Sequence, residues 1–119
     1  MCTVNLLEND PLLISGRKFS SRLMLGTGKY ANFQEAKDSI LLSGCEILTV
    51  AVRRAQNSNV EGIDRLLNNL DWTKIWLMPN TAGCQTSEQA IRLAFLSREI
   101  LKNLNYVDNN FLKLEVIPD

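Results

Sequence analysis

At 119 residues the chain has room for one domain with a modest core. Thirteen basic residues balance thirteen acidic ones, so there is no strong field to gather nucleic acid, and DNA or RNA binding is not expected. The chain has no histidine, which excludes Ser–His and Cys–His nucleophiles and histidine-ligated metals; lysine, carboxylates or cysteine must do any chemistry.

Cys2, Cys45 and Cys84 are odd in number and widely spaced, a pattern of a reducing compartment rather than a disulfide framework. No apolar run reaches the roughly 18–20 residues of a membrane span. The start, MCTVNLLENDPLLISG, lacks a basic end, and Glu8 and Asp10 interrupt its apolar stretch, so it does not read as a signal or transit peptide. The expected location is the cytoplasm, or the plastid stroma if the protein is plastid-encoded, with no membrane partner.

In chain order, LLISGRKFSSRLMLGTG predicts a hairpin turning at Ser15-Gly16 and then a strand at Leu23–Leu25 that stops at Gly26-Thr27-Gly28. Asn32 and Glu35 stand at capping-box spacing and open a helix with Phe33, Ala36, Ile40 and Leu41 on its apolar face and Gly44 beyond its end. Glu46–Val52 is apolar and β-branched, as a strand covered on both faces reads. Asn59 is placed to cap a second helix with the stripe Val60, Ile63, Leu66, Leu67 and Leu70, broken at Asp71-Trp72. A third strand, Ile75–Met78, ends at Pro79-Asn80. Thr86 and Gln89 then open a helix to about Leu104 with Ile91, Ala94, Phe95 and Leu101 inward, and the last strand is Phe111–Ile117.

A hairpin followed by β-α-β-α-β-α-β, with apolar strands, calls for parallel pairing and right-handed crossovers. Both an open doubly wound sheet and part of a (β/α)₈ barrel accept this pattern. A barrel needs about 250 residues to close, and four strands with no helix after the last look unfinished. The expectation is therefore one domain over residues 1–119, the amino-terminal half of a TIM-type barrel. Both architectures place chemistry at the C-terminal ends of strands.

The last strand, FLKLEVI, raises the chemical question. Alternation sets Lys113, Glu115 and Ile117 on one face and Leu112, Leu114 and Val116 on the other, with the Cα atoms of Lys113 and Glu115 roughly 6.5–7 Å apart. In a barrel the leucine–valine face would pack under helices and the Lys-Glu face would point inward. Burial favours a neutral amine able to attack a carbonyl, and a nearby carboxylate both favours the ammonium and can move protons on the carbons next to an imine. The other reading is an edge strand with a solvated polar face. Gly26-Thr27-Gly28 reads as a tight turn before an anion cradle, and Arg53-Arg54 as an ion-pair or interface element or as a phosphate or carboxylate holder. Cys84, Trp72 and Trp76 read as structural.

LMLGTGKY, TVAVRR, LMPNTAGCQT and KLEVI stand in this order in the chain, and in this order they resemble thiazole synthase, from about Leu13 onward. The resemblance implies a (β/α)₈ barrel enzyme of thiamine biosynthesis. It would take 1-deoxy-D-xylulose 5-phosphate, dehydroglycine and sulfur from the thiocarboxylate of a small ubiquitin-like carrier protein. By the same resemblance Lys113 would form a Schiff base with the ketone at C2, and Glu115 would shuttle protons so that a ketone appears at C3 for the sulfur to attack. Condensation with dehydroglycine would then close the phosphorylated thiazole ring. No metal or bound cofactor is implied, and a homo-oligomer is expected. Members run to about twice this length, and their second half supplies a further acid and the glycine-rich phosphate loops. A non-catalytic half-barrel that binds a partner and another Schiff-base lyase of the same fold are the alternatives.

Overall fold

The computed structural model describes residues 10–28, 30–55, 68–103 and 110–118; the expected cap Asn59 and the residues 60–67 of its helix lie outside them. Two short strands, β1 (Leu12–Ile14) and β2 (Arg17–Phe19), pair antiparallel with Ile14 opposite Arg17. Ser15 and Gly16 link them with φ of 51° and 80°. Two positive φ values in a two-residue loop make a type I′ turn, whose twist matches that of the strands it joins.

A parallel sheet follows. Its strands β3 (Met24–Gly26), β4 (Ile47–Ala51) and β5 (Trp76–Asn80) lie in that order, with Met24 opposite Ile47 and Ile47 opposite Trp76. Helix α1 (Phe33–Ser43) crosses from β3 to β4. Its first turn is satisfied because the Asn32 side chain accepts from the Glu35 N–H at 2.8 Å, and its last turn ends on Gly44 at φ 68°. A single turn, α2 (Val52–Ala55), leaves the end of β4. Helix α3 (Ser87–Asn103) follows β5. Thr86 Oγ1 accepts from the Gln89 N–H, while the Gln89 side chain reaches back one residue further, to the Gln85 N–H.

Alternation along β4 and β5 divides the core. Leu48 turns to the helix side and packs with Ala36, Ile40, Cys45, Leu70 and Ile75. Ile47 and Trp76 turn the other way and pack with Phe19 of the hairpin, helped by Phe111. Arg17 lays its guanidinium over the Trp76 ring, 3.7 Å from the centroid, so the hairpin is fastened to this face by cation–π contact as well as by apolar burial. The Glu46 carboxylate adds a polar tie by accepting from the backbone N–H groups of Ser20 and Ser21 at 2.9 and 2.8 Å.

Several expectations need correction. Leu41 is exposed, and on α3 the buried stripe is Ala90, Leu93, Ser97 and Leu101, leaving Ile91 and Phe95 outside. Ala90 and Leu93 pack on Val52 and Cys84, and this cluster, rather than Ile91 and Phe95, marks the buried side of the helix. Pro79 and Asn80, read as the end of the third strand, are part of it. The segment 111–117 is not a full strand: it joins the sheet through one isolated parallel bridge, Asn80 to Lys113.

Candidate functional site

The C-terminal ends of β3, β4 and β5 lie together at one rim of the sheet, and the segment 111–117 runs along the free edge of β5. At the β3 end Thr27 Oγ1 donates to the carbonyl of Thr49 on β4 at 3.1 Å, and the Tyr30 hydroxyl donates to the Gly26 carbonyl at 3.2 Å. The Gly26-Thr27-Gly28 stretch is thus the end of β3 running into a bend, stitched to its neighbour. At the β4 end Arg53 is exposed and reaches across to Gly83: a Cβ on Gly83 would lie 3.4 Å from Arg53 Nη1.

Segment 79–84 holds the last segment. The Lys113 N–H donates to the Pro79 carbonyl at 2.9 Å, and the Lys113 carbonyl accepts from the Thr81 N–H at 3.2 Å. These are the two ordinary rungs around a parallel bridge. Past them the backbone of 81–84 turns away, with the Cys84 N–H on the Thr81 carbonyl and Gly83 at φ 90°. The Thr81 hydroxyl takes over: it accepts from the Glu115 N–H and donates to the Glu115 carbonyl, both at 2.8 Å. The Ile117 N–H then finds the Cys84 carbonyl at 2.9 Å. The other end of the bridge is limited by Pro79, which has no N–H for a further rung.

Lys113, Glu115 and Ile117 therefore all turn their peptide groups to the same edge. This is the two-residue repeat of an extended chain, and it puts the three side chains on one face. Phe111 shares that parity, and its ring meets Trp76 edge-on, with centroids 5.2 Å apart. The face of Lys113 and Glu115 is thus the face floored by the hairpin, opposite the one that packs on α1. Lys113 is exposed and Glu115 half-buried, so the expected shielding of the amine is absent here. The leucine–valine face is not buried under helices either: Leu114 is 68% exposed and Val116 37%. Leu112, on the same face, is half-buried and lines a cavity together with Ile91, Phe95 and Leu101 of α3.

Thr81 and Asn80 are the site residues that inspection of the sequence passes over. Asn80 stands beside Lys113 in the ladder and folds its side chain back to accept from the Ala82 N–H at 3.1 Å. The available signal was Asn-Thr followed by Gly83, because Asn and Thr side chains bond nearby backbone wherever a strand gives out.

A parallel sheet, helices on one face, a hairpin on the other and an amine–carboxylate pair near the strand ends define an α/β protein compatible with part of a TIM-type fold. The chain belongs to the family described as thiazole biosynthesis protein ThiG, whose model matches residues 13–119. It is 68% identical over 110 residues to a thiazole synthase of Emiliania huxleyi, covering 92% of this chain and 40% of that protein. It is 60% identical over 114 residues to a thiazole synthase of Thermosynechococcus vestitus, covering 96% and 41%. It also matches a bifunctional protein ThiO/ThiG of Nostoc sp., at 59% identity over 111 residues, 93% of this chain and 17% of that one. The chain thus spans about two fifths of the length of its thiazole synthase relatives.

Proposed function

We propose that this chain is the amino-terminal part of a thiazole synthase, one domain that forms the first half of a (β/α)₈ barrel, with Lys113 as the Schiff-base amine. The single observation behind the reading is the shared face of Lys113 and Glu115, next to the strand ends and above the hairpin floor, in a chain of this family. In a closed barrel that face would be the interior, and the exposure of Lys113 and Leu114 would end.

The proposed chemistry starts with 1-deoxy-D-xylulose 5-phosphate. The neutral Lys113 amine adds to the C2 carbonyl, water leaves and an imine forms. The Glu115 carboxylate removes the proton from C3, and the electron pair moves into the C2–C3 bond. Return of a proton at C2, with loss of the proton from the C3 hydroxyl, gives an amine at C2 and a ketone at C3. The thiocarboxylate sulfur of a ubiquitin-like carrier then attacks C3, and dehydroglycine completes the ring. The working protein would be a homo-oligomer. Relatives come from algae and cyanobacteria, which supports a plastid or cytoplasmic location.

Borohydride reduction of the full chain in the presence of 1-deoxy-D-xylulose 5-phosphate tests this. The reduced sugar phosphate should add its mass to the peptide containing Lys113, and Lys113→Arg should abolish the adduct. A wild-type protein without the adduct would sink the reading. One observation favours a second reading: Leu114 and Ile117 expose 68% and 62% of their surface, as on a half-barrel that only binds a partner. That reading expects no adduct with any ketose, and an adduct with other ketoses alone would indicate another Schiff-base lyase.

A further inference from the structure

We propose that Thr81 is the positioning residue of the Lys113–Glu115 pair, its hydroxyl standing in for a backbone rung that the turn at 81–84 removes. The catalytic part of this inference rests on the function proposed above; the structural part does not. In an uninterrupted parallel ladder the Glu115 N–H would bond the Thr81 carbonyl, and the Glu115 carbonyl would bond the N–H of residue 83. Here the Thr81 carbonyl is taken by the Cys84 N–H, and Gly83 is turned to a φ of 90°. One hydroxyl makes both replacements, accepting and donating at 2.8 Å. Thr81 is fully buried, so it does not meet substrate and acts only through Glu115.

The two site residues are held by different means. Both rungs of Lys113 are backbone bonds, to Pro79 and Thr81, and neither needs the hydroxyl. Both bonds recorded for the Glu115 backbone depend on it. Removing the hydroxyl should free the carboxylate and leave the amine in place. The imine would still form, and the proton transfer that follows it would slow.

Thr81→Val keeps the side-chain volume and deletes both bonds; Thr81→Ser keeps the bonds. In hydrogen exchange on the full chain, the wild-type Glu115 amide should be protected to the same order as those of Lys113 and Ile117. A wild-type Glu115 amide exchanging at the rate of an open chain overturns the clamp whether or not the variants fold. In Thr81→Val the Glu115 amide should exchange about tenfold to a hundredfold faster while the β4 amides hold their protection, and Thr81→Ser should stay within about threefold of wild type. Equal effects of valine and serine also overturn it.

For the catalytic part, borohydride trapping at Lys113 is compared with deuterium wash-in at C3 of the sugar in D2O. Thr81→Val should preserve trapping and lower wash-in about tenfold or more, with Thr81→Ser restoring it. Trapping and wash-in that fall together, or wash-in unaffected by valine, overturn the positioning role. A wild-type chain that traps no sugar overturns the proposed function and the catalytic part with it, while hydrogen exchange still decides the clamp.

Discussion

β4 and the segment 111–117 lie on opposite edges of β5 and are held to it in different ways. β4 shares five registered pairs with β5, from Ile47–Trp76 to Ala51–Asn80, and both its faces are covered. The segment 111–117 is anchored by the Phe111 ring against Trp76, and its backbone from Lys113 onward is held by an isolated bridge, a hydroxyl clamp and a bond to a loop carbonyl. Its pairing is shortened at one end by a proline and at the other by a turn. Lys113 and Glu115, the residues proposed to carry the chemistry, sit on the less secured edge. A continuous ladder fixes a strand uniformly, whereas this edge fixes each of its residues by separate contacts, so that one can be loosened without the next. Local opening should therefore begin there and end at β4.

The largest break in this comparison should come from Leu48→Ala. Leu48 is fully buried between the sheet and α1, and the truncation should cost about 2–5 kcal/mol in denaturant unfolding. Leu114→Ala, on the exposed face of the other edge, should change stability by less than about 0.5 kcal/mol. Similar losses at both positions would mean that the two edges are equally buried in solution.

Gly83→Ala should have an intermediate effect. A side chain at φ 90° is strained, whereas its Cβ would meet Arg53 Nη1 at an ordinary contact distance of 3.4 Å. A loss of about 1–2 kcal/mol is expected, with faster exchange of the Ile117 amide, which depends on the turn, and little change in β4. Unaltered exchange at Ile117 would show that the turn does not secure the last segment.

The smallest effect belongs to Asp71, in the turn that leads into β5. The Thr73 hydroxyl first, and then the Thr73 N–H, hold the Asp71 carboxyl below its ordinary 3.8, with Lys74 adding to the effect. A lowered folded-state value means that the contribution is complete above about pH 3.8 and drains as pH falls through the lowered value. Thr73→Val should move the Asp71 titration up toward 3.8, followed by carboxyl chemical shift. Because the main cause is a hydrogen bond, added salt should shift the titration less than this substitution does.

Local chemistry made some of these features legible in advance. Ser15-Gly16 reads as the turn of a small hairpin and is one, and Asn32 with Gly44 bounded α1 correctly, since caps and turns depend on a few neighbouring residues. The apolar runs around Leu48 and Leu77 announced buried parallel strands. The motifs of LMPNTAGCQT and KLEVI pointed to the family, although the burial assigned to Lys113 does not hold in this chain. Periodicity misjudged α3, because apolar residues stand on both of its sides, Ile91 and Phe95 on one and Leu93 roughly 160° away on the other, and hydropathy alone does not choose between two apolar sides.

Taken by itself, then, the order of residues determined the hairpin, the three parallel strands, the caps of α1 and α3 and the spacing of an amine and a carboxylate two residues apart. Those follow from interactions within a few positions of the chain. Only the tertiary structure decided which side of α3 is buried, that the hairpin floors the face of Lys113, and that a threonine 34 residues from Glu115 replaces a rung of the sheet. Such choices depend on where the backbone of one segment turns away from another, and no local preference encodes that separation.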